Sequence, residues 1–247
     1  MEAIAKLIYE HWFVQFDFPN EEGKPYKSSG GEMVYDKTLK RDIPKGWKVK
    51  SLSELISLTR GVIYSSTDEE SSDGIDVVEI YRGNNICNGH IIEDENRVFI
   101  PRKKVSPAQY LDDFSIFITM SSGSKAHVGK VAISYNSKEK SYGGFCSKIV
   151  PDKEYRNIVF GFFASDLYRT WIESICSGTG INNLRDDHFD LIKLSIPINS
   201  EFLKKYAFYT NSLFKKIQNI VKETDSLCKL RDFLLPMLMN GQVEIAD

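Results

Sequence analysis

Residues 201–239 read EFLKKYAFYTNSLFKKIQNIVKETDSLCKLRDFLLPMLM, with no glycine, and no proline before Pro236. Leu213, Ile220, Leu227 and Leu234 recur every seven residues, and Ile217 and Leu230 fall between them. A strict seven-residue repeat makes the narrow apolar seam of a coiled coil, whereas a helix docked on a core needs a wider stripe. Lys204, Lys205, Lys215, Lys216, Lys222, Glu223, Asp225 and Lys229 lie mostly off the seam and keep the other faces wet. As one helix the stretch makes a rod of roughly 50 Å. The seam then meets a second helix, or the helix folds back on its own domain; the pattern alone leaves both open.

The chain has 247 residues, 42% of them apolar, enough for one large or two small cores. Its net charge of −2 carries no basic footprint of the kind that announces nucleic acid. The distribution is less even. Residues 51–100 hold three Arg and ten Asp or Glu, a net of −7, while residues 101–150 hold eight Lys or Arg and three acids, a net of +5. A basic middle can bind an anion locally, although solvated faces that happen to segregate give the same pattern. Cys87, Cys146, Cys176 and Cys228 are scattered without metal-ligand spacing, which reads as reduced thiols. Neither a signal-peptide layout nor an apolar run of spanning length is present, so a cytoplasmic protein is expected.

Glu2 to Phe18 has helical spacing and ends in an aromatic cluster before Pro19, as if it were the last turns of a longer helix. Asn20 to Gly46 is rich in Gly, Pro, Ser and Lys and reads as a long loop. Between residue 60 and about residue 150, strands are predicted at Val77–Tyr81, Val98–Ile100, Phe114–Ile118 and Val131–Tyr135. A helix is predicted over Asn157–Cys176, stopped by Gly178-Thr179-Gly180, and a last strand over Leu191–Pro197. The fold class is therefore α+β: an arm over 1–46, a mixed domain over 47–200, and a trailing helix over 201–247.

No nucleophile motif, His-Glu-x-x-His pair, Walker loop, dinucleotide fingerprint or adenine-methylation signature occurs. Catalytic and metal-binding residues are accordingly expected to be absent. Three segments look like readers instead. Ser121 to Lys130 puts hydroxyls, Ser124 among them, beside Lys125, His127 and Lys130, a set suited to phosphate oxygens and base acceptors. Ser177 to Arg185 includes Thr179, Asn182, Asn183 and Arg185, where Asn can pair with adenine and Arg with guanine. Arg82-Gly83-Asn84-Asn85 has the same chemistry. Ordinary polar turns would look alike, and none of the three is specific alone.

Longer strings carry a resemblance. Leu7 to Pro19, Gly23 to Gly31 and Ile43 to Trp47 closely resemble the specificity subunit of type I restriction-modification enzymes, at the passage from its central conserved helix into its second target recognition domain. Arg82 to Ile86, Gly129 to Ile133, Ser177 to Leu184 with Ile196-Pro197, and Leu230 to Pro236 with Met239 to Val243 continue the likeness across nearly the whole chain. What it implies is a non-catalytic reader of double-stranded DNA, with no cofactor of its own. Methylation and cleavage would reside in separate modification and restriction subunits, which use S-adenosylmethionine, and ATP with magnesium. Family members hold two recognition domains apart with two helices packed as a coiled coil. This chain resembles the C-terminal half of such a subunit. Residues 47–200 are then expected to form a single target recognition domain reading a half-site, and Leu213, Ile217, Ile220, Leu227 and Leu234 to pair two copies as a homodimer. The alternative is an assembly module or recombination cassette that reads no DNA itself.

Overall fold

The computed structural model describes residues 1–241 except 73, 94–95, 137–138 and 180–182, with the backbone alone for 125 and 176–179. Lys125 and Thr179 therefore have no described side chain, and Asn182 lies outside the described residues.

The chain begins with α1 (Glu2–Tyr9), which widens into a π-helical turn over Glu10–Val14. The turn leaves Phe16 at φ 64°, a left-handed backbone that a bulky residue keeps only when its surroundings hold it. They do so here: Phe16 is buried, and the Arg41 guanidinium lies 4.7 Å from its ring centroid. The segment read as a loop contains a hairpin, β1 (Met33–Asp36) with β2 (Arg41–Pro44), in which the Asp36 carboxylate accepts from the Thr38 and Leu39 amides in the turn. Next, β3 (Trp47–Ser51) leads through a short 3₁₀ turn at Leu52–Leu55 into β4 (Ile56–Arg60).

One sheet is formed by β5 (Val77–Tyr81) with β8 (Val98–Pro101) antiparallel and β11 (Lys140–Tyr142) parallel. The larger sheet runs β10 (Val131–Ile133), β9 (Ile116–Thr119), β12 (Cys146–Pro151), β4, all antiparallel. A small ribbon joins β6 (Ile86–Cys87) to β7 (His90–Ile91). The helix expected over Asn157–Cys176 is two helices, α2 (Arg156–Ala164) and α3 (Asp166–Thr179). They break at Ser165, which turns extended at φ −84°, ψ 161° and donates its hydroxyl back to the Phe162 carbonyl. α4 (Asp186–Leu191) precedes β13 (Lys193–Pro197), and β13 pairs antiparallel with β3. That ribbon brings residues 47 and 197 together at the point where α5 (Ser200–Met239) departs.

α5 is one 40-residue helix, but its two halves differ. In the proximal half Leu203, Tyr206, Thr210, Phe214 and Ile217 are buried, at the three- and four-residue spacing of a docked face. Trp12 packs against Phe202, Tyr206 and Tyr209, Phe13 against Tyr206 at 4.8 Å, and Phe214 against Phe160 of α2 at 5.3 Å. Thr210 is buried because the Asn157 amide reaches its hydroxyl at 2.6 Å. Ile217, expected in the pairing seam, is instead buried in the chain's own core, and Leu213 packs against that core half-buried. The fold-back reading thus holds for the proximal half. Past it, polar contacts fasten the helix: Gln218 and Lys222 reach the Asp113 carboxylate at 2.8 and 3.0 Å, and Asn136 donates to Asp225 at 3.1 Å. In the distal half Ile220, Leu227, Leu230 and Phe233 are 48%, 58%, 51% and 64% exposed. Leu234 is half-buried.

Candidate nucleic-acid interface

Four segments far apart in sequence converge at the ends of the two sheets. The first is 60–64. Its backbone runs against 142–146 so closely that a Cβ on Gly61 would lie 2.2 Å from the Gly143 carbonyl oxygen. Only glycine fits there. The Val62 and Gly61 amides donate to the Tyr142 and Cys146 carbonyls at 2.8 and 3.1 Å, which locks the second segment to the first. The Met120 and Ser121 amides both donate to the Phe145 carbonyl, at 2.9 and 3.0 Å, and bring in the third segment, the loop after β9. Ser121 pairs with Asn183 through their side chains, and the Leu184 amide donates to the Met120 carbonyl at 2.6 Å, which brings in the fourth. The turn after β5 joins beside them, since a Cβ on Gly83 would meet the Thr119 hydroxyl at 2.9 Å.

Within this cluster Asn84, Ser124, Asn183 and Arg185 are exposed and Arg82, Ser121 and Ser122 half-exposed. Arg60 donates to Asp186 at 2.7 Å and Arg185 to Asp187 at 3.2 Å, so these cations are oriented by neighbouring acids rather than buried. The Arg82 guanidinium donates to the Asn96 carbonyl at 2.5 Å. Burial pushes the Tyr64 hydroxyl above its usual pKa against the pull of Arg82, so Tyr64 stays a neutral donor. Burial likewise pushes the Cys146 thiol up to about 12, which leaves it an inert core group behind the exposed Phe145.

The structure corrects one expected contact. Asn85 is 4% exposed, and its amide is used up holding the turn: the oxygen accepts from the Arg82 amide at 2.8 Å and the nitrogen donates to the Ile92 carbonyl at 3.0 Å. It shapes the loop and offers no edge to a base. His127 and Lys130 pair with each other, and the Thr119 amide donates to the Lys130 carbonyl at 3.0 Å. The Lys130 ammonium donates to His127 Nδ1 at 3.0 Å, and Lys130 faces a cleft of about 960 Å³ between α1, α3 and β10. Gly129 ties that side to α3, where Tyr168 donates to its carbonyl at 2.6 Å. Arg60, Ile63, Tyr64 and Phe145 are in the cluster although sequence reading passed over them. Their only signal was the Gly61 and Gly143-Gly144 pair, whose mutual approach is a tertiary fact.

Among the described residues no group of three His, Cys, Asp or Glu could hold a metal ion, and no helix is long and apolar enough to cross a membrane. Residues 44–224 match the model of the type I restriction modification DNA specificity domain. The chain is 32% identical over 211 residues to the type I restriction enzyme EcoKI specificity subunit of Escherichia coli K12, covering 81% of this chain and 44% of that relative. It is 37% identical over 160 residues to the StySPI specificity subunit of Salmonella potsdam, covering 64% and 34%. The crystal structure of a type I restriction-modification S subunit from M. genitalium shares the fold with a TM-score of 0.54 at 17% identity, over 95% of this chain and 53% of that one. The chain belongs to the type I restriction modification DNA specificity family, and it spans less than half the length of these two sequence relatives.

Proposed function

We propose that the chain is the non-catalytic, DNA-reading part of a type I restriction-modification assembly, presenting the face built by 60–64, 82–84, 119–124, 143–145 and 183–185 to a duplex half-site. The observation that carries this is the Ser121–Asn183 pairing, which joins two polar loops 62 residues apart into one surface of hydroxyl, amide and guanidinium groups. Such groups read base edges, while neighbouring hydroxyls and backbone N–H groups hold phosphates. Modification and restriction subunits would supply the chemistry and part of the phosphate contact, consistent with the net charge of −2. Selection from random duplexes by the full chain with its methylase tests the reading: a short enriched motif is expected, and no enrichment at any salt concentration overturns it. Arg185→Ala is expected to relax a single base position by about 1–3 kcal/mol and leave the others intact, measured by competition among single-base variants of the selected site.

The distal half of α5 serves this function as a spacer whose seam, now Ile220, Leu227 and Leu234, meets a second helix. A second copy related by a two-fold axis satisfies the seam with itself. Light scattering of the wild type is expected to give a dimer, and Ile220→Asp with Leu227→Asp a monomer whose domain stays folded by circular dichroism. A monomeric wild type removes the pairing.

A further inference from the structure

We propose that Ile63 and Phe145 form an apolar reader inside this face, contacting the C5-methyl groups of thymines in the half-site. The inference rests on the DNA-reading function above and adds specificity-determining residues to it. Ile63 is 91% exposed and Phe145 74% exposed. A single exposed apolar side chain on a soluble protein needs no explanation. These two lie on one joined pair of loops, however: Ile63 packs against the turn that carries Phe145, where a Cβ on Gly144 would lie 3.4 Å from Ile63 Cγ1. Their backbones are also held. Val62 bridges to Gly143, and the Phe145 carbonyl accepts from both Met120 and Ser121. The pair is therefore presented on a rigid base, beside the Ser121–Asn183 pairing.

An aromatic ring and a branched aliphatic chain among hydroxyl and amide groups need an apolar target set among hydrogen-bonding ones. On the major-groove edges of B-DNA that target is the thymine methyl, the one apolar group in a row of donors and acceptors. The polar neighbours would then read flanking edges while Ile63 and Phe145 cover the methyl.

The test uses the full chain with its methylase and the duplex obtained by selection, replacing each thymine in turn with deoxyuridine. That change deletes the methyl and keeps every hydrogen bond. Wild type is expected to lose about fourfold in affinity for each contacted methyl. Ile63→Ala and Phe145→Ala, assayed separately so that one decides if the other fails to fold, should bind thymine and deoxyuridine duplexes alike while keeping their other base preferences. Variants that keep the wild-type thymine-to-deoxyuridine ratio, or a wild type indifferent to every methyl, overturn this inference and leave DNA reading standing. A wild type that selects no sequence overturns both.

Discussion

Phe214→Ala is expected to lower the unfolding free energy by about 3–5 kcal/mol, against well under about 1 kcal/mol for Ile220→Ala six residues further on. The contrast follows from where α5 changes partner. Phe214 is 6% exposed and meets the Phe160 ring edge-on at 76°, and the cavity left by its loss has the walls of a packed interior. Ile220 is 48% exposed and loses little in the single chain. Urea unfolding followed by circular dichroism, at a concentration where the chain is monomeric, measures both. Equal, small effects would detach the proximal half of α5 from the domain core.

Removing both cations around Glu79 should do comparable damage and reverse its pH dependence. Glu79 has a side chain 5% exposed in the middle of β5, where Arg97 grips it at 2.9 and 2.5 Å and Lys140 of β11 also donates to it. Burial alone would raise its carboxyl pKa; the Arg97 and Lys140 contacts outweigh burial and hold it below the usual range. The stabilisation from this depressed pKa is fully present above the unfolded value, about 4.3, and is lost as pH falls through the folded one. With Arg97→Ala and Lys140→Met only burial remains. A stranded buried carboxylate costs about 3–5 kcal/mol at neutral pH. Its pKa would then be raised, so the double variant should be most stable below the unfolded value and weaken as pH rises. Urea midpoints between about pH 3 and pH 8 check this, and parallel curves for the two proteins would contradict it.

Val77–Tyr81 was legible to the residue because β-branched and aromatic side chains run together there, broken only by Glu79. β12 was not, although it is almost wholly buried, because Ser147 and Lys148 interrupt the apolar run. Lys148 is buried with its ammonium held by Asp112 and the Tyr110 carbonyl, a satisfaction no local window can foresee. In α5 the seven-residue repeat starts at Leu213, which packs half-buried on the domain core, while Ile220 and Leu227 lie exposed. The docked stripe passes through Thr210, whose polarity hid it until Asn157 was found across the interface. Of the candidate site, the polar loops were readable from residue type. The places of Ile63 and Phe145 depend on Gly61 meeting Gly143, and the withdrawal of Asn85 on its bonds to Arg82 and Ile92, none of which sequence spacing encodes.

The aromatic packing between arm and helix also gives the molecule a built-in optical reporter. Of its three tryptophans, Trp12 and Trp47 both contact Phe202 of α5, while Trp171 of α3 stacks on Phe189 of α4. Emission at long wavelength from the first two, with Trp171 unchanged, would mark the rod lifting off its seat before the domain melts. Replacing Trp171 with Phe leaves a chain whose tryptophan emission comes from that joint alone.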